Sequence, residues 1–131
     1  MDNFIHWYYD PECEIFFKDL LKEINEKSEG YYYSPTNWQD SCYWNDTCGS
    51  ICFNYDNDSE TYVQLYAFHN DEEMKREGIE ERYSVLTMVN GEHETERLYQ
   101  DGDINGLLVT NDRQEAIRYA LESVSALLTW A

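Results

Sequence analysis

Near the start of the chain, Cys13, Phe16, Phe17, Leu20, Leu21 and Ile24 recur at three- and four-residue intervals. The spacing lines them up on one helical face and predicts a helix over residues 11–28. Asp10 is a ready cap, Pro11 suits the first helical position, and Glu12 and Glu14 meet the positive end of the helix dipole. Gly30 is a natural stop. Glu14 with Lys18, and Glu23 with Lys27, are i,i+4 pairs in the favourable order, so the bases of this helix are neutralised locally.

Helical periodicity then disappears. Residues 31–50 mix turn formers with Tyr31, Tyr32, Tyr33, Trp38, Tyr43 and Trp44, which predicts a long surface connection with a short strand at 42–44. Residues 51–55 and 61–69 alternate as strands, with DNDSE as the turn between them. In the second strand Val63, Leu65 and Ala67 share one face, and Tyr62, Gln64, Tyr66 and Phe68 share the other. Residues 70–82 form a charged excursion, either one helical turn or a loop. Residues 83–89 are a third strand, Asn90-Gly91 is the strongest hairpin signal in the chain, and residues 95–99 return antiparallel. Thr110 or Asn111 caps a closing helix whose stripe is Ala116, Ile117, Ala120, Leu121, Val124 and Leu128. Helix, strands, helix is the order of an α+β domain: an antiparallel sheet of about four to five strands with an N-terminal and a C-terminal helix packed on one face. The whole of residues 1–131 is expected to be that single domain, with the opposite sheet face free.

Composition supports a folded chain. Hydrophobic residues make up 42% and aromatic residues 16%, which excludes a disordered acidic tail. There is no 18-residue apolar run and no basic, then apolar, leader at the N-terminus, so the expected location is the cytoplasm. In that compartment Cys13, Cys42, Cys48 and Cys52 are expected as free thiols, and their C-x5-C and C-x3-C spacings match no common zinc pattern.

Charge changes the picture most. Twenty-seven Asp and Glu against nine Lys and Arg give a formal net charge of -18, far beyond what solubility alone calls for. Residues 40–104 hold sixteen of the acids and four of the bases, a surplus of twelve negative charges in the middle of the chain. Such a field attracts cationic protein surfaces and repels nucleic acid and anionic membrane. Along an extended strand Glu92, Glu94 and Glu96 point to one side at about 6.8 Å intervals. That spacing equals about two phosphate steps along a DNA strand, each roughly 3.4 Å along the axis. Asp71, Glu72, Glu73, Glu77, Glu80 and Glu81 extend the row, and Asp56, Asp58 and Glu60 add to it. Tyr62 and Tyr66 interleave with these acids as candidate interface anchors.

Two further stretches bear on chemistry. Residues 101–112 (DGDINGLLVTND) resemble a calcium loop of the EF-hand and dockerin kind, with oxygen side chains at the first, third and fifth positions and Gly at the sixth. The resemblance implies calcium ligation. However, Val109 stands at position nine and the shorter Asp112 at position twelve, so the expectation is a capped turn without metal. His69 and His93 have acidic neighbours, yet no nucleophile and base constellation and no phosphate, zinc-protease or dinucleotide motif accompanies them. No enzyme activity and no cofactor is expected.

In charge, size and composition the chain resembles protein inhibitors of nucleic-acid-handling enzymes, such as phage anti-restriction and anti-CRISPR proteins. The resemblance implies a nucleic-acid mimic whose partner is a basic protein, a nucleic-acid-binding enzyme or complex. It implies no direct binding of nucleic acid or membrane. The alternative is an immunity protein that neutralises a basic bacterial toxin, which calls for the same complementarity.

Overall fold

The computed structural model describes residues 6–55, 61–89, 92–93 and 108–130. A 3-10 turn at Trp7–Tyr9 leads into α1 (Pro11–Ser28), followed by β1 (Gln39–Asp40), β2 (Gly49–Asn54), β3 (Tyr62–Ala67), α2 (Asp71–Glu77), β4 (Tyr83–Val89), β5 (Glu92–His93), β6 (Leu108–Thr110) and α3 (Arg113–Trp130). The predicted first helix and third strand are found with the expected bounds. Asp10 caps α1 by accepting the Glu12 amide at 2.9 Å, with Pro11 at the first helical position.

All strand pairings are antiparallel, in the order β1-β2-β3-β4-β5, and β6 also pairs with β4. Ile51, Leu65 and Val85 stand opposite one another across three strands, as do Phe53, Val63 and Thr87. These six are buried and meet α1 and α3 through Phe17, Leu20, Ile24, Ile117, Leu121 and Val124. The fold is therefore the α+β arrangement that the sequence predicts, with both terminal helices against one sheet face. Burial of β3 alternates without exception, which fixes its register, since a one-residue slip would turn Val63, Leu65 and Ala67 out of the core.

The contact between α1 and β2 depends on Gly49. A Cβ added there would collide with the Phe17 ring and lie 2.9 Å from Cys42 Sγ, so only glycine lets the helix approach this strand. The two helices are tied to each other by Glu23, which accepts from Arg113 Nε and Gln114 Nε2 at 2.8 Å each and from Lys27 Nζ at 3.0 Å. Burial alone would raise the Glu23 pKa. The hydrogen bonds from Gln114, Arg113 and Lys27 outweigh it and bring the carboxyl down to about 2.

Four details differ from the sequence reading. The short strand before β2 is Gln39–Asp40, while residues 43–46 form a turn closed by the Asp46 amide on the Tyr43 carbonyl. Residues 31–50 are also more than a surface connection. Trp38 is buried, Asn25 of α1 receives its amide at 2.9 Å, and its indole N–H donates to the Tyr32 hydroxyl at 2.9 Å. Residues 71–77 form a regular helix. Finally, α3 is capped by Asp112, which accepts from the Gln114 and Glu115 amides at 2.9 and 3.2 Å. Thr110 and Asn111 are used elsewhere: Thr110 pairs with Tyr83 in β6, and Asn111 binds the chain before β4. The hairpin turn at 90–91, the return strand at 95–99 and most of the 101–112 loop lie outside the described residues.

Two measurements check these contacts. Asp112→Ala should lower stability by about 0.5–2 kcal/mol in urea unfolding, and Asp112→Asn, which keeps an acceptor, by much less. The Glu23 pKa is depressed below its unfolded value of 4.5, so its stabilisation is complete above that value and is lost as pH falls towards about 2. Unfolding free energy between those pH values should fall more steeply in the wild type than in Glu23→Gln.

Candidate functional site

α2 is bracketed by its own sequence. Asn70 caps it by accepting the Glu73 amide at 2.9 Å, and Gly78 ends it in the left-handed region, with φ of 68°. Its first turn carries Asp71, Glu72 and Glu73, which favourably face the positive end of the helix dipole. Glu73 turns inward, is buried, and pairs with Arg76. Asp71 pairs with Arg82 just before β4, which ties the helix to the sheet. Glu72, Glu77, Glu80 and Glu81 remain exposed to solvent. Asn111 holds the 80–82 segment from below, accepting the Arg82 amide at 2.9 Å and donating to the Glu80 carbonyl at 3.0 Å. Of the predicted binding residues, Asp71, Glu72, Glu73, Glu77, Glu80 and Glu81 are thus brought together on α2 and the segment after it, with Glu73 facing inward. Glu92 sits in β5 with its backbone opposite Val89. Asp56, Asp58, Glu60, Glu94 and Glu96 lie outside the described residues.

Tyr62 and Tyr66 stand on the sheet face away from the helices, as predicted, but half-buried. The Tyr66 hydroxyl donates to Gln64 Oε1 at 2.9 Å, and Gln64 Nε2 donates to the Ser50 hydroxyl at 2.9 Å. Burial, reinforced by Asp46 and the neighbouring Tyr62, pushes the Tyr66 phenol up to about 12. Tyr66 thus belongs to a polar ladder lying along the sheet. Both tyrosines are less open anchors than the sequence pattern suggested.

The most exposed aromatic pairs lie elsewhere. Tyr8 and Tyr9 of the N-terminal turn meet edge to face at 5.2 Å, and Tyr43 and Trp44 lie 5.9 Å apart in the turn before β2. The Trp7 indole N–H joins the two turns by donating to the Asp46 carbonyl at 2.9 Å. Beside the first of these turns, between α1 and the chain at Asp40 and Cys42, opens a slot of about 250 Å³, lined by Tyr8, Cys13, Glu14, Phe17, Asp40 and Cys42. Sequence reasoning passed over this surface. The available signal was aromatic residues adjacent in sequence, Tyr8-Tyr9 and Tyr43-Trp44, outside any regular period, where a single core-facing side cannot hold both.

Other reactive groups are committed to structure. The His69 side chain is 2% exposed and its Nε2 bonds Asp10 Oδ2 at 2.9 Å. That bond is the main cause holding the Asp10 carboxyl below its usual range. The neighbouring hollow of about 390 Å³ is lined by Asp10, Pro11, Glu12, Asn70, Glu72, Glu73 and Arg76, with no serine or cysteine nucleophile. Burial pushes the Cys13, Cys42 and Cys48 thiols up to about 12, far from a reactive thiolate. All four cysteines are free thiols, and among the described residues no group of three His, Cys, Asp or Glu is placed to hold a metal ion. Asp112, the last position of the calcium-like loop, is occupied as the α3 cap, and Leu108–Thr110 is strand. Among the described residues no helix is long and apolar enough to cross a membrane.

No family model, curated protein or solved structure matches this chain.

The staple at Asn111 has a local readout. Asn111→Ala removes the acceptor of the Arg82 amide, so hydrogen exchange at that amide should accelerate by about fivefold, as expected for a net loss of roughly 1 kcal/mol, with core amides of β3 little changed.

Proposed function

We propose that the chain is a small acidic inhibitor that mimics nucleic acid and occupies the basic nucleic-acid-binding surface of a defence nuclease or surveillance complex, in the manner of phage anti-restriction or anti-CRISPR proteins. The observation that carries the reading is how the chain disposes of its own cations. Lys18, Lys27, Arg76, Arg82, Arg113 and Arg118 all pair with carboxylates of this chain, six of its nine Lys and Arg residues. Glu23 takes two of them, and among the described residues the pairs fall on Glu14, Glu23, Asp71, Glu73 and Glu122. Glu72, Glu77, Glu80 and Glu81 stay exposed on a helix and segment held at both ends.

A surface of this kind offers carboxylates where a nucleic acid offers phosphates. Its attraction acts at a distance and so speeds encounter, while the contacts made after docking set the lifetime. Commitment of His69 to Asp10 and the high thiol pKa values support a binding role over a catalytic one. No cofactor enters this reading, and a reducing cytoplasm suits the four free thiols.

The test is kinetic. A partner recovered by affinity capture from the native host should associate at least about tenfold more slowly at 0.5 M than at 0.05 M salt, as steered encounter requires. The combined Glu72→Gln, Glu77→Gln, Glu80→Gln and Glu81→Gln variant should slow association more than it speeds dissociation. An association rate indifferent to salt would contradict the proposal.

A further inference from the structure

We propose that the slot bounded by Tyr8 of the N-terminal turn, by α1 and by the chain at Asp40 and Cys42 receives an arginine side chain of the partner. This deepens the reading above, on which it rests, by naming a contact on a surface distinct from α2. The floor of the slot is apolar: Phe17 is 1% and Cys13 4% exposed. Its rim carries Tyr8, 43% exposed, and the exposed carboxylates Glu14 and Asp40. At about 250 Å³ it is smaller than the roughly 300–1,000 Å³ of drug-sized ligand sites, which suits a single side chain.

An apolar floor beneath a charged rim matches a side chain with a methylene stem and a cationic head. Arginine fits better than lysine. Its planar guanidinium stacks on an aromatic ring, is weakly hydrated, and presents several N–H donors in a fixed fork, so one head can reach two carboxylates and a ring together.

The two carboxylates keep capacity for such a donor. Asp40 uses Oδ1 to accept the Cys42 amide at 2.8 Å, its carboxylate also bonds the Cys42 thiol, and the residue stays exposed to solvent. Glu14 meets Lys18 at 3.8 Å, with both side chains about three-quarters exposed (74% and 77%), a contact that is readily exchanged. Tyr43 and Trp44, each 53% exposed, follow Cys42 in the chain, and Tyr9 meets Tyr8 edge to face. Aromatic side chains around a cation slot are what an interface centre requires, because they exclude water from the charged contact. Trp7, next to Tyr8, is fixed by its bond to the Asp46 carbonyl, and Gly49 leaves room for the Phe17 ring that lines the slot.

The test uses the full chain and three short peptides, acetyl-Ala-Arg-Ala-amide and its Lys and citrulline counterparts, followed by amide chemical shifts in NMR. Citrulline keeps the shape of arginine without the charge. The Arg peptide should give saturable shifts centred on Tyr8, Glu14, Asp40 and Cys42, with the Lys peptide weaker and the citrulline peptide without saturation. Asp40→Asn retains the acceptor for the Cys42 amide and Glu14→Gln changes only an exposed side chain, so the double variant stays folded. It should bind the Arg peptide about fivefold more weakly or worse, the loss expected when charge-assisted contacts become neutral. Shifts that fail to saturate, that spread evenly over the acidic residues, that are matched by citrulline, or that survive the double variant would overturn the proposal. The titration needs no partner, so its failure leaves the salt test of the mimic untouched. Equally, failure of the salt test leaves the slot to be judged on the peptide.

Discussion

Ile51, Leu65 and Val85 stand side by side across three strands, each fully buried beneath α1 and α3. Everything else in the molecule depends on this one-sided burial. Apolar area removed from water at roughly 25 cal/mol per Å² is the main favourable term available to a chain whose charges repel one another. With the helices on one face, the other face is left to Tyr66, Gln64, Ser50 and Ser41, which satisfy one another in a hydrogen-bonded ladder. The acids are pushed outward, to the helix surfaces, α2 and the segment before β4.

Charge is managed in two ways. Where acid must approach the core it is bonded: Glu23 joins the two long helices and Glu73 folds back on Arg76. Where acid stays in water it is anchored through the backbone, as Asn111 anchors Glu80 and Asn70 begins α2. Desolvating an unpaired carboxylate costs several kcal/mol, so the two arrangements are not interchangeable. The same division separates the proposed binding surfaces, one of exposed carboxylates that draws a cationic partner in, the other of aromatic rings and two carboxylates that holds it.

The long apolar patterns were legible in the sequence because each element's period is its own record of which side is buried. Residues 11–28 and 83–89 were read with their observed bounds, and the split faces of residues 62–67 were read correctly. Elements decided by neighbours were not legible. Residues 71–77 carry no apolar stripe, so only Asn70 and Gly78 mark the helix; Gln39–Asp40 are strand only because β2 offers an edge. Three consecutive residues, Thr110, Asn111 and Asp112, have capping side chains, and tertiary contacts to Tyr83, Arg82 and Glu80 leave Asp112 to cap. On the candidate surface, the acids of α2 were readable from charge. The slot joins Tyr8, Glu14 and Asp40 across a distance in sequence that no local pattern spans.

The central claim is that this chain stands in the place of nucleic acid. It is tested most directly by fluorescence anisotropy of a labelled DNA or RNA bound to the captured partner, with this protein added to saturation. The account predicts displacement of the nucleic acid in proportion to complex formed, with no ternary species. A stable ternary complex, in which the partner holds both ligands at saturation, would contradict it.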